Sequence, residues 1–257
     1  MSDIFFCEIT ENKLLTDGVF SITVSCEKLA NESKPGQFLH IKCGHSRILR
    51  RPISICNVNG DLITFVFEVK GDGTKWLSKR LPGQSLDILG PLGNGFMLPD
   101  EKFLIAGGGL GTPPMLFAAG RAKQKPTAIL GFRDKTRVIL TDEFKAICDN
   151  VIITTDDGSV GIHGAVTKPL EDLLKTGEYR TVMSCGQILM QKAVAEICAK
   201  YNVQSQVSLE ERMGCGIGAC LVCACQAVDK TGEEIMSRAC KDGPVYIMDS
   251  ALRSTLC

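Results

Sequence analysis

The sequence predicts a multidomain β and α/β protein: an antiparallel β-barrel over residues 1–98, a parallel-sheet α/β domain over 99–206 and a small cysteine-rich module over 207–257. Three observations predict it. Apolar runs of strand length alternate with turn residues through the first hundred positions, strand and helix patterns alternate from about Pro99, and five cysteines crowd between Cys215 and Cys240. The length of 257 residues leaves room for such a division, since a domain usually takes about 100–200 residues.

In the first module, Phe20–Val24, Gln37–Lys42 and Leu62–Val69 read as strands, separated by the turn pairs Pro35-Gly36 and Asn59-Gly60. Short strands with little helix between them suggest a closed barrel, which leaves no edge exposed. One helix is expected, Thr74 to Leu81, stopped by Pro82-Gly83. In the second module the strands are Phe103–Ala106, Thr127–Phe132, Val151–Thr154 and Thr181–Ser184. Helices are expected over Pro113–Lys123 and Ile188–Lys200, and the alternation implies crossover connections within a parallel sheet.

Composition excludes several classes. Hydrophobic residues make up 44% and charged residues 23%, enough for ordinary cores, and 29 basic against 29 acidic side chains give no global field. A nucleic-acid binder or polybasic membrane protein is disfavoured. The charge-free stretch from Phe103 to Gly120 has the length of a membrane span, but its five glycines and Pro113-Pro114 break such a helix. Acidic Asp3 stands where a secretory leader carries basic residues, and Cys257 ends the chain without a prenylation box, so a cytoplasmic location is expected. In that setting clustered cysteines point to metal rather than disulfides.

Cys215, Cys220 and Cys223, with Cys240 farther on, follow the Cys-x4-Cys-x2-Cys…Cys spacing of plant-type 2Fe-2S ligands. Intervening glycines would let the backbone pass close to a net-negative cluster and turn N–H groups toward it. A zinc site or simply buried thiols are the alternatives. Cys225 reads as a core residue, with replacement of Cys223 in the ligand set as its alternative.

Two barrel motifs, Arg51-Pro52-Ile53-Ser54 and Gly71-Asp72-Gly73-Thr74, could supply a guanidinium and a threonine-capped helix start to a pyrophosphate; alone, each is more often an ordinary turn. Gly107-Gly108-Gly109-Leu110-Gly111-Thr112 lies between a strand and a helix opened by Pro113-Pro114, as a dinucleotide loop does, although Thr112 replaces the third glycine of the Rossmann fingerprint. Cys185-Gly186 falls at the carboxyl end of the last predicted strand, where open α/β sheets bind ligands. After the second strand, Arg133 would favour a 2′-phosphate and Asp134 oppose one. His40, His45 and His163 show no ligand spacing and read as ordinary surface or strand histidines.

In this order the motifs resemble the ferredoxin-NADP reductase superfamily and, within it, the family of electron-transfer subunits of type B dihydroorotate dehydrogenases. The resemblance spans essentially the whole chain, and Gly214–Cys223 carries its most specific part. It implies that Arg51, Pro52, Ile53 and Ser54 hold FAD, with Glu68, Val69 and Lys70 beside them and Gly73 and Thr74 at the pyrophosphate. Ile53 stands where the broad superfamily has a tyrosine, so no aromatic ring on the flavin is implied there. The resemblance further implies a nicotinamide-nucleotide site at Gly107, Gly108, Gly109, Gly111, Thr112, Cys185 and Gly186, and iron bound by Cys215, Cys220, Cys223 and Cys240. No residue of this chain is expected to act as a general base. Nicotinamide exchanges two electrons as hydride and a cluster one at a time, so a flavin between them splits the pair. The implied partner is an FMN-containing dihydroorotate dehydrogenase subunit, in a heterotetramer serving pyrimidine synthesis.

Overall fold

The computed structural model describes residues 3–44, 48–228 and 233–248. In the first module the chain forms β1 (Asp3–Thr16), β2 (Val19–Ser25), α1 (Glu27–Glu32), β3 (Phe38–Ile41), β4 (Arg51–Asn59), β5 (Leu62–Glu68), α2 (Asp72–Leu77) and β6 (Ser85–Leu92). The six strands close into an antiparallel barrel in the order β1-β2-β5-β4-β3-β6. β1 and β6, which no uninterrupted apolar run announces, are half-buried strands: β1 turns Cys7 and Ile9 inward and Phe6 and Glu8 outward.

The expectation of one helix in the barrel is corrected to two. α1 has too few apolar positions to show a helical period, and only Leu29 and Ala30 are buried. α2 ends at Leu77 rather than Leu81, because Lys79 and Arg80 donate to the carbonyls three residues back and tighten the chain into a turn before Pro82.

The second module contributes β7 (Leu104–Gly108), α3 (Thr112–Gly120), β8 (Thr127–Phe132), α4 (Thr141–Ile147), β9 (Asn150–Thr155), β10 (Ile162–His163), α5 (Thr167–Leu174), β11 (Thr181–Cys185), α6 (Ile188–Lys200) and β12 (Gln204–Ser208). The cysteine-rich segment adds β13 (Ala224–Val228) and β14 (Glu234–Arg238), paired as a ribbon, and β15 (Val245–Met248). The sheet order is β10-β9-β8-β7-β11-β12-β15; neighbours are parallel except β15, which runs antiparallel to β12. The C-terminal segment thus returns to cover the edge that β12 would otherwise expose.

α3 explains the charge-free stretch. Every residue from Thr112 to Ala119 is buried, as expected of a helix apolar on all sides. Its Phe117 joins the barrel's core, while Val19, Cys56 and Val66 of the barrel join the core under the sheet. Barrel and sheet therefore meet across α3 with no solvent layer between them. Among the described residues no helix is long and apolar enough to cross a membrane.

Candidate functional site

β4 opens on Arg51-Pro52-Ile53-Ser54, and these four residues line a cavity of about 280 Å³ together with Glu68, Lys70 and Thr74. The two weak barrel motifs are brought into contact: a Cβ added to Gly73 would stand 2.7 Å from Arg51 Nε, so bare backbone is what lets the guanidinium lie on the first turn of α2. Thr74 is not the helix cap. Gly71 holds that position, and Thr74 Oγ1 reaches back from the first turn to accept the N–H groups of Lys70 at 3.0 Å and Gly71 at 3.3 Å. Val69 packs against the barrel core, and Gly73 lies buried beside Arg51.

A second cavity, about 480 Å³, opens over the carboxyl ends of the parallel strands, where a ligand of an open α/β sheet is expected. Gly108, Gly109, Gly111 and Gly186 line it, with Arg133, Arg137 and Asp156. Gly107 and Thr112 stand behind the loop, Thr112 with no exposed surface. Asp134 accepts the backbone N–H of Thr136 at 2.8 Å and caps a short turn, so Arg133 is the member of that pair that lines the cavity. A Cβ on Gly111 would lie 2.1 Å from the carbonyl oxygen of Cys185, so the glycine loop rests directly on the Cys185-Gly186 peptide.

Sequence reasoning missed what holds that peptide. Gln191 on α6 is buried, and its Nε2 donates to the carbonyls of Gly186 at 2.9 Å and Ser208 at 2.7 Å. Replacing Gln191 by Leu leaves both buried carbonyls short of a donor, which costs about 1–3 kcal/mol. Thermal melting should fall; an unchanged melting temperature would mean that Gln191 does not hold the turn.

Glu68, Lys70, Leu110 and Glu210 line both cavities, so the two spaces meet. Glu210, directly beyond β12, is the second residue that the motifs did not reveal; its place past a strand's carboxyl end was the available signal. Desolvation by the cavity walls raises its carboxyl pKa, and Lys70 opposes the shift. Cys185 lines the first cavity, and burial pushes its thiol up to about 12, so it stays protonated at neutral pH.

The four spaced cysteines come together as two pairs. Cys215 N–H faces Cys220 Sγ at 3.3 Å, and Cys223 and Cys240 pack in one buried cluster with Phe38, Leu92 and Ala239. Gly216 and Gly218 take φ of +74° and +82°, a region open mainly to glycine, and the turns they make aim N–H groups at sulfur. Ile217, Ala219 and Cys220 point theirs at Cys215 Sγ at 3.3–3.4 Å, and Gly218 points its own at Cys240 Sγ at 3.1 Å. Burial works to raise the Cys215 thiol, but these donors outweigh it and bring the pKa down to about 6. Two cysteine pairs, with backbone N–H groups aimed at the sulfurs of Cys215, Cys220 and Cys240, fit a dinuclear iron-sulfur cluster. Among the described residues no three His, Cys, Asp or Glu side chains converge as a single ion requires.

Cys225 turns the other way, packing with Val207 and Leu209 while its Sγ lies 3.7 Å from Tyr246 Oη, so the alternative ligand set is not the one assembled. Among the histidines, His163 is exposed at the sheet edge and His45 lies outside the described residues. His40 is a strand histidine, on β3, but it is fully buried, between the barrel and the cysteine loop.

Comparison with known proteins follows the same division. A family model described as the iron-sulfur cluster binding domain of dihydroorotate dehydrogenase B matches residues 210–250. The chain is 40% identical over 246 residues to the electron transfer subunit of dihydroorotate dehydrogenase B (NAD(+)) from Caldanaerobacter subterraneus subsp. tengcongensis, covering 95% of this chain and 96% of that one. It is 39% identical to the protein of the same name from Clostridium perfringens, covering 93% and 94%. A solved NADH-dependent reduced ferredoxin-NADP oxidoreductase, studied for flavin-based electron bifurcation, superposes with a TM-score of 0.82 at 29% identity over 95% of this chain and 88% of its own. The ferredoxin reductase of carbazole 1,9a-dioxygenase, at 19% identity and a TM-score of 0.64 over 79% of this chain and 67% of its own, shares the fold.

Proposed function

We propose, from the premise that this chain belongs to the family of dihydroorotate dehydrogenase B electron transfer subunits, that its two cavities and its cysteine loop form one electron relay to an FMN-containing dihydroorotate dehydrogenase subunit. The chain is an NAD-linked flavin and iron-sulfur oxidoreductase subunit. The assembly is a heterotetramer in the cytoplasm and serves pyrimidine synthesis. One observation carries the relay: the first cavity shares Glu68, Lys70, Leu110 and Glu210 with the second, and shares Phe38 and Met213 with the packing around Cys223 and Cys240.

FAD belongs in the first cavity, NAD(H) in the second and the 2Fe-2S cluster on Cys215, Cys220, Cys223 and Cys240. When bound, the flavin supplies the exchange between a two-electron hydride and single electrons. The chain's own residues place the sites. Arg51 offers a guanidinium for a phosphate, with Gly73 and Thr74 beside it. Pro52, Ile53 and Ser54 belong to β4, which shapes the wall, and Val69 directly follows β5 and packs against the barrel core. Gly107 and Thr112 back the loop that lets Gly108, Gly109 and Gly111 approach a pyrophosphate. Cys185-Gly186 closes the junction with a protonated, buried thiol that adds no charge.

An absorption spectrum tests the cofactor set: the purified protein should show flavin and 2Fe-2S bands that NADH bleaches, and a colourless zinc protein would end this reading. Mixing with the FMN subunit should then give dihydroorotate-dependent reduction of NAD. A complex that transfers electrons only to a different acceptor would reassign the partner. Arg51→Ala should lower FAD affinity, since a hydrogen bond to a charged group contributes about 1.5–3 kcal/mol, or about one to two decades. The flavin-to-protein ratio after dilution and gel filtration is the measurement; an unchanged ratio would move the flavin elsewhere.

A further inference from the structure

β3 is buried on both faces. Leu39 and Ile41 point into the barrel core, Phe38 packs against Cys223 and Cys240, and His40, two residues on, shares the face of Phe38. A Cβ added to Gly216 would stand 2.6 Å from His40 Nδ1, so the imidazole lies against bare backbone between Cys215 and Ile217. His40 has no exposed surface, and neither ring nitrogen has a hydrogen-bond partner among the described residues. Buried polar groups are normally paired.

Arg50 donates to the His40 carbonyl at 3.3 Å and is itself held at 2.8 Å by Asp87, so it does not meet the ring nitrogens. In each of its protonation states the imidazole carries at least one N–H donor. Cys215 immediately precedes Gly216, so its backbone lies beside the ring without meeting hydrogen-bond geometry.

We propose that His40 is a positioning residue for the iron-sulfur cluster, its ring N–H serving the Cys215 backbone so that the turn through Gly216 keeps its donors aimed at the Cys215 sulfur. The proposal rests on the assignment of the cluster to the four cysteines. The donors concerned are the N–H groups of Ile217, Ala219 and Cys220. N–H groups directed at ligand sulfur stabilise the added electron of a reduced cluster, so a relaxed turn lowers the reduction potential. The barrel strand that walls the flavin cavity through Phe38 would thus also tune the cluster through His40.

The test uses the purified complex carrying His40→Leu or His40→Gln, with iron content, potentiometric titration of the cluster and the electron paramagnetic resonance spectrum of its reduced form. His40→Leu should keep iron, show a lower midpoint potential and shift the g values; His40→Gln, which retains an N–H donor, should recover toward wild type. A His40→Leu complex indistinguishable from wild type overturns the proposal, as does a His40→Gln complex displaced equally far, because volume alone would then matter. If His40→Leu loses iron, retention in His40→Gln supports the donor role and loss in both overturns it. The underlying assignment fails separately, if Cys223→Ser keeps the wild-type cluster signal.

Discussion

Cys223→Ser should strip the iron-sulfur cluster from the protein while NADH still reduces FAD, and Cys225→Ser should leave both intact. The two cysteines lie on either side of Ala224 on the same stretch of chain and are both buried, yet their surroundings differ completely. Cys223 meets Cys240 above Phe38 and Leu92, whereas Cys225 packs with Val207 and Leu209 near the Tyr246 hydroxyl. Serine is a poorer ligand for iron than a thiolate, so the four-sulfur set loses one strong bond. At Cys225 a hydroxyl can still meet Tyr246, and the change removes only a small buried sulfur. Iron content, NADH-to-dye activity and reduction of the partner subunit should therefore separate the variants: in Cys223→Ser iron and partner reduction are lost and dye reduction persists. Partner reduction surviving in an iron-free Cys223→Ser protein would mean that electrons leave by another path.

Gly111→Ala should abolish most NADH-driven flavin reduction, and Gly109→Ala should cost less. The four-glycine loop looks uniform in sequence, but its members do different work. Gly109 has φ of +53° with nothing within 4 Å of an added Cβ, so alanine there meets only left-handed strain of about 1–2 kcal/mol. Gly111 has ordinary helical dihedrals, but its added Cβ would meet Cys185 O at 2.1 Å and Gly186 N at 2.5 Å, both backbone atoms. The loop must then lift from the Cys185-Gly186 peptide at the junction of the two cavities. A displacement of about 1 Å at such a place can cost roughly 100-fold in rate. Stopped-flow reduction of the bound flavin by NADH measures it, with circular dichroism to show that the fold persists. A wild-type rate in Gly111→Ala would remove the second cavity from the nucleotide path.

Local patterns in the sequence were enough for the division into barrel, parallel sheet and cysteine loop. Alternating strands with Asn-Gly and Pro-Gly turns read as a barrel because turn chemistry and the two-residue period act within a few positions of one another. Strand Thr127–Phe132 and helix Ile188–Lys200 were legible to the residue for the same reason. The cysteine spacing likewise announced its chemistry, since ligands that close around one small cluster must lie near one another along the chain. β6 and β15 were not legible, because each pairs with strands far away in sequence; β1, though it pairs with adjacent β2, is half-exposed and shows no uninterrupted apolar run.

What only the tertiary structure decided is how distant surfaces meet. It buried His40 under Gly216, turned Cys225 away from Cys223, set Gln191 beneath Gly186 and let Glu68, Lys70, Leu110 and Glu210 join two cavities. Residue types and spacings determine which groups a protein has available. Which of them share a buried space depends on long-range packing, where burial and backbone approach of a few tenths of an ångström select among side chains that look alike in the sequence.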